Sequence, residues 1–219
     1  MDNVIKLNNA AVLALMDSNK RRAADLFTNA FNALTYEEEQ VDPVVHEELF
    51  LPEFAYETSL PFIPVSVPSI TVGHRETDDA FTYSKVFFFN PRVTYSQQYS
   101  CSYRGVILFN LALIYHRSST NPNDEYETAS LELYDQCQEL LEQDSVPDLA
   151  SLFAVAINNK IQIYHRRIDL DTTDSLLDDL GVVLKKAMKR KTDIFEEEEV
   201  DQLLLNCTCQ RALVCAPGA

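Results

Sequence analysis

The tetrapeptide Ile-Tyr-His-Arg occurs twice, closing the windows Val106–Arg117 (VILFNLALIYHR) and Val155–Arg166 (VAINNKIQIYHR), which lie 49 residues apart. Each copy sets an imidazole beside a guanidinium: His116 with Arg117, and His165 with Arg166. Such a pair can grip a carboxylate or a phosphate, because the planar guanidinium offers two parallel donors. At a helix end the same cations can simply complement the C-terminal dipole and nearby acids. Earlier in each window stands an asparagine, Asn110 and Asn159, and Asn9 has the same place in the N-terminal stretch. A carboxamide carries both an acceptor and donors. It can therefore pair with a peptide N–H and C=O without demanding any particular side chain, or bridge two adjacent helices.

Other chemistries find little support. Cys207-Thr208-Cys209 with Cys215 is a single Cys-x-Cys lacking a second pair or a nearby histidine, which is not a metal-ligand pattern. The histidines His46, His74, His116 and His165 form no His-x3-His cluster, and no glycine-rich phosphate loop or Gly-x-Ser-x-Gly elbow occurs. We expect no metal, no cofactor and no catalytic constellation, hence a non-enzymatic chain.

Charge narrows the partners. A formal net charge of −16 leaves no basic footprint for nucleic acid or an anionic membrane surface, and favours basic protein segments. No run approaches the roughly 20 apolar residues of a membrane span, and the N-terminal apolar stretch is broken by Asn and Asp, unlike a secretory signal. Five cysteines without framework spacing fit a reducing compartment. The expectation is cytoplasmic, with nuclear import open through the basic run Lys185–Lys191, which also reads as the solvated last turn of a helix.

The elements that must position the asparagines and cations follow from periodicity. Residues 3–35 read as a helical hairpin, with Ala11, Ala14 and Leu15 on one helix, Ala23, Phe27 and Ala30 on the next, and a turn at Asp17–Asn19. Residues 36–103 break the pattern, since six of the nine prolines fall there, enough to exclude a long helix. Ser69–Val72 and Lys85–Phe89 read as short strands, with Val93–Tyr95 as a possible partner, so this acidic, aromatic insertion can carry a β-hairpin. Helical spacing resumes in a second hairpin (104–143) and a third (148–191), the latter with caps expected at Asp171–Asp174. Residues 196–214 suit a capping helix, as helical arrays require.

The spacing Leu108, Leu111, Ala112, Tyr115, then Ser130 and Tyr134, resembles the tetratricopeptide repeat (TPR), and Leu7, Ala10, Ala11, Ala14, Ala23, Phe27 and Ala30 give its first unit. Ile157, Lys160, Ile161 and Tyr164 give the third. The chain departs from the family in lacking an aromatic opener, in its 49-residue period and in the 68-residue insertion between units one and two. The C-terminal half is also similar to an unassigned algal helical-repeat family ending in an Ala-Pro-small tail, here Ala216-Pro217-Gly218-Ala219. The TPR resemblance implies an all-α, TPR-like α-solenoid: one domain of about three hairpins and a capping helix. It also implies a concave groove lined by the first helix of each hairpin, with Asn9, Asn110, Asn159, His116, Arg117, His165 and Arg166 as contacts to a bound peptide. The family's carboxylate clamp is not expected, because the first unit offers Ala14, Leu15 and Met16 where cations are needed. The expected function is a peptide-binding interaction module. The alternative is a structural or self-assembling protein whose groove is filled by its own insertion or by another copy.

Overall fold

The computed structural model describes residues 2–35, 62–67, 82–90, 100–143, 150–190 and 197–214. These are mostly helical, with seven helices and one two-stranded sheet among them. The helices are α1 (Asp2–Met16), α2 (Lys20–Thr35), α3 (Ser100–His116), α4 (Glu125–Gln143), α5 (Ala150–Arg166), α6 (Leu170–Arg190) and α7 (Glu197–Val214). The strands are β1 (Phe62–Ser66) and β2 (Lys85–Phe89).

Pairs α1–α2, α3–α4 and α5–α6 pack as hairpins, and each second helix packs on the next first helix: α2 on α3, α4 on α5, α6 on α7. Small residues permit this closeness. Ala11, Ala23, Ala30, Ala112, Ala154 and Ala156 are all fully buried. Gly105 on α3 faces α4 closely: a Cβ there would sit 2.9 Å from Leu141 Cδ2, which would have to shift.

The turns have a common chemistry. After α1, Ser18 N–H donates to Leu15 O and Asn19 N–H to Ala14 O, with Ser18 at φ 61°. After α5, Ile168 N–H donates to His165 O and Asp169 N–H to Tyr164 O, with Ile168 at φ 59°. Both are Schellman closures, in which a left-handed residue lets the last carbonyls find donors. Asn19 and Asp169 then serve as N-caps, accepting from Arg22 N–H (3.1 Å) and Thr172 N–H (3.1 Å). The cap of α6 is thus Asp169; Asp171, expected as the cap, lies within the first turn.

The insertion holds the main correction. Lys85–Phe89 is a strand as expected, but its antiparallel partner is the upstream segment Phe62–Ser66, with Phe62 opposite Phe89 and Pro64 opposite Phe87. Pro64 within β1 is tolerated because proline can occupy an edge strand. The expected strands Ser69–Val72 and Val93–Tyr95 fall outside the described residues. Helix α3 begins at Ser100, four residues before the expected start of the second hairpin, and this brings Tyr103 into the core.

Strand β2 lies against α1 and α3. Val86, Phe87, Phe88 and Phe89 are each at most 1% exposed, so both faces of the strand are buried. Phe87 meets Phe109 edge-on at 5.5 Å, Phe89 meets Tyr103 at 4.7 Å, and Tyr83 stacks on Phe87 at 6.1 Å. Burying such rings contributes roughly 1.5–3 kcal/mol each.

Candidate functional site

The three aligned asparagines converge on one extended segment of the chain itself. Asn9 Oδ1 accepts from Phe89 N–H (2.8 Å), and its Nδ2 donates to Phe89 O (2.8 Å). Asn110 does the same to Phe87, at 2.8 and 2.9 Å. Asn159 does the same to Tyr83, at 2.8 and 3.1 Å. Each carboxamide therefore mimics a neighbouring strand, answering the N–H and C=O that one extended residue turns toward the same side.

Residue parity explains why these positions are gripped. Along an extended chain, alternate residues direct their N–H and C=O to the same edge. Tyr83, Phe87 and Phe89 face the helices, which leaves Val86 and Phe88 to face their β1 partners, Val65 and Ile63. Pro64, opposite Phe87, then needs no N–H for the ladder. Helices α5, α3 and α1 grip the segment in that order as it runs from residue 83 to 89.

Further amides brace the ladder. Asn8 Nδ2 donates to Asn9 Oδ1 (3.2 Å) and to Phe87 O (3.1 Å), and Asn110 Nδ2 donates to Asn8 Oδ1 (3.2 Å). Asn158 Nδ2 donates to Asn159 Oδ1 (3.2 Å), and Asn159 Nδ2 also reaches Tyr134 Oη (3.1 Å). The asparagines thus do both things weighed for them: they hold an extended backbone and, between α1 and α3, they bridge helices. Asn8 and Asn158 were not singled out in the sequence. Their signal was an Asn-Asn doublet inside an otherwise apolar helix.

Side chains add contacts to these backbone bonds. Lys85 Nζ pairs with Glu199 of α7 at 2.6 Å, the glutamate side chain being only 12% exposed. This places Glu199 beside the strand segment that the asparagines hold. Lys160, aligned with Leu111 of the second unit, is buried and bonds to Asp135 and Gln138 of α4.

The cations at the helix ends form a separate cluster. Glu127 of α4, fully buried, receives Arg166 Nη2 (2.7 Å) and Arg167 Nε (2.8 Å). Its Oε2 also accepts from Asn123 N–H (2.6 Å), while Asp124 caps α4 through Glu127 N–H (2.8 Å). The Asp-x-x-Glu spacing of a helix start was the available sequence signal for this glutamate. His116 is buried, its ring edge-on to Tyr134 at 6.2 Å. Burial, then the Arg166 and Arg117 guanidiniums, holds its imidazole well below the usual range, so it is neutral at pH 7. Burial, with Arg117 nearby, also lowers Lys20. Burial pushes the Tyr134 hydroxyl up, partly offset by the Asn159 amide. Of the seven residues read as peptide contacts, Asn9, Asn110 and Asn159 hold the strand, and His116, Arg117 and Arg166 lie together in the cationic cluster. His165 is half-buried beside Arg166, its carbonyl spent on the turn after α5.

Among the described residues no group of three or more His, Cys, Asp or Glu is arranged to hold a metal ion, and no helix is long and apolar enough to cross a membrane. Cys207 is buried against α6 and Cys209 half-buried, while Cys215 lies outside the described residues. No protein-family model, curated protein or solved structure matches this chain.

Proposed function

We propose that the chain is a non-enzymatic, TPR-like interaction scaffold whose groove holds an extended polypeptide by its backbone, with its own residues 83–89 as the resident occupant. The observation that carries the reading is the set of paired amide–backbone hydrogen bonds from Asn9, Asn110 and Asn159. Backbone capture of this kind accepts many sequences, and the aromatic pockets and Glu199 then select among them. The order of packing, in which each hairpin's second helix meets the next hairpin's first, supports a solenoid. The acidic surface favours basic partners.

A second reading has its own support. The complete burial of residues 86–89 makes displacement costly, so the occupant could be permanent and the protein a structural, self-filled scaffold. One experiment separates the two. Specific protease sites are inserted after Arg75 and after Arg92, the folded chain is cut at both, and a labelled peptide of residues 80–92 is added. Uptake of the label, weakened by Asn110→Ala, supports an exchangeable groove. Refusal of the label by a cut chain that stays helical and keeps its own segment supports the permanent filling.

A further inference from the structure

Near the ends of α3 and α5 the hydrogen-bonding capacity of three buried polar atoms is unused. His116 Nδ1, Arg166 Nε and Gln162 Nε2 are buried polar atoms without a hydrogen-bond partner. His116 and Gln162 are more than nine-tenths buried, at 4% and 6% exposure. Leaving such groups unsatisfied costs about 1–3 kcal/mol each, and more for a charged group. Gln162 and Arg166 stand four residues apart on one face of α5. Arg166 in turn lies close enough to His116 on α3 to bear on its ionisation, as Arg117 does.

Charge at this spot runs against that of the molecule. Arg117 and Arg166 bear on His116, Lys20 lies near Arg117, and Arg167 shares Glu127 with Arg166, in a chain of net charge −16. Among the described residues, Glu127 beside them is already engaged by Arg166, Arg167 and the Asn123 N–H. Arg166 and Arg167 keep 23% and 18% of their side chains exposed.

We propose that His116, Gln162 and Arg166 form a binding site for a small oxyanion, the phosphate or carboxylate group of a ligand. A guanidinium Nε–H, a primary amide and an imidazole in its Nδ1–H tautomer can each donate to an anionic oxygen. The site is separate from the asparagine ladder and does not depend on the occupant of the groove. It is joined to it through Tyr134, which touches His116 and takes a hydrogen bond from Asn159.

The test uses the full chain with isotope-labelled histidine, the His116 resonance being assigned with His116→Gln. Inorganic phosphate and, separately, acetate are titrated at constant ionic strength maintained with sodium chloride, and His116 is followed by NMR. A saturable shift with either anion, accompanied by a rise in the His116 pKa, supports the site. Phosphate alone or acetate alone identifies which group the ligand carries. Gln162→Leu should weaken binding about tenfold, the value of one hydrogen bond to a charged group. Should that variant misfold, Arg166→Lys keeps a cation for Glu127 while deleting the Nε–H and should weaken binding similarly. Lys186→Gln, on another face, should leave it unchanged. No saturable response up to about 50 mM, as expected if only an ordered water meets these atoms, overturns the proposal. So does an equal response in wild type and Gln162→Leu.

Discussion

The carboxamide of Asn110 takes both hydrogen-bonding groups of Phe87, its Oδ1 accepting the N–H at 2.8 Å and its Nδ2 donating to the C=O at 2.9 Å. Asn110 and Phe87 are both fully buried. Removing the amide would strand two backbone groups away from water, each at a cost of about 1–3 kcal/mol. Asn110→Ala should therefore lower unfolding free energy by roughly 3 kcal/mol, read by urea denaturation. Asn110→Asp should be as harmful, since a carboxylate cannot donate to Phe87 O. Little change in either would detach the ladder from stability.

Ile168 occupies the left-handed position of the turn after α5 at φ 59°, with 79% of its surface exposed. A β-branched residue is poorly suited there and buries little in return. Ile168→Gly should raise stability by about 1 kcal/mol, seen as an increase in Tm. A fall would mean that Ile168 makes a contact that matters.

Gly105 lets α3 approach α4, and a Cβ would meet the end of Leu141. The backbone carbonyl of Gly105 also accepts from Cys137 Sγ at 3.2 Å. Gly105→Val should cost about 2 kcal/mol through overpacking. Adding Leu141→Ala should recover part of that loss, and a double-mutant cycle would measure the coupling.

His116 gives the fold a pH dependence with a definite sign. Its folded pKa lies well below the usual value because of burial and the neighbouring arginines. The unfolded chain therefore takes up a proton near pH 6.5 that the folded chain refuses. Its contribution is complete above that pH and is lost as pH falls, at up to about 1.4 kcal/mol per unit. Between pH 7.5 and 5.5, without phosphate, the wild type should lose roughly 1 kcal/mol more than His116→Gln. Equal losses would place the proton elsewhere.

How far the sequence could be read differs from element to element. The helices were legible because apolar residues recur at helical spacing and are buried, as Ala11, Ala14 and Leu15 do on α1 and Ala23, Phe27 and Ala30 on α2. The alignment of Asn9, Asn110 and Asn159 was legible for the same reason, as one polar residue at one place in an apolar stripe. The occupant of the ladder was not. Nothing local in Tyr83–Phe89 shows that its backbone will be answered by residues about 80 positions upstream and 23 and 76 downstream. Strand β1 was hidden because Pro64 reads as a strand breaker unless its pairing edge is known. Glu127 looked like a helix-start acid, and only the folding of α5 beside α4 makes it the counter-ion of Arg166 and Arg167.

The most direct test of the central claim is amide hydrogen exchange at Tyr83, Phe87 and Phe89, followed by NMR in wild type and Asn110→Ala. All three amides should be strongly protected in the wild type, with protection at Phe87 lost first and most in the variant. Rapid exchange at the three positions in a wild-type chain whose helices remain protected would contradict the claim that the asparagines hold this segment.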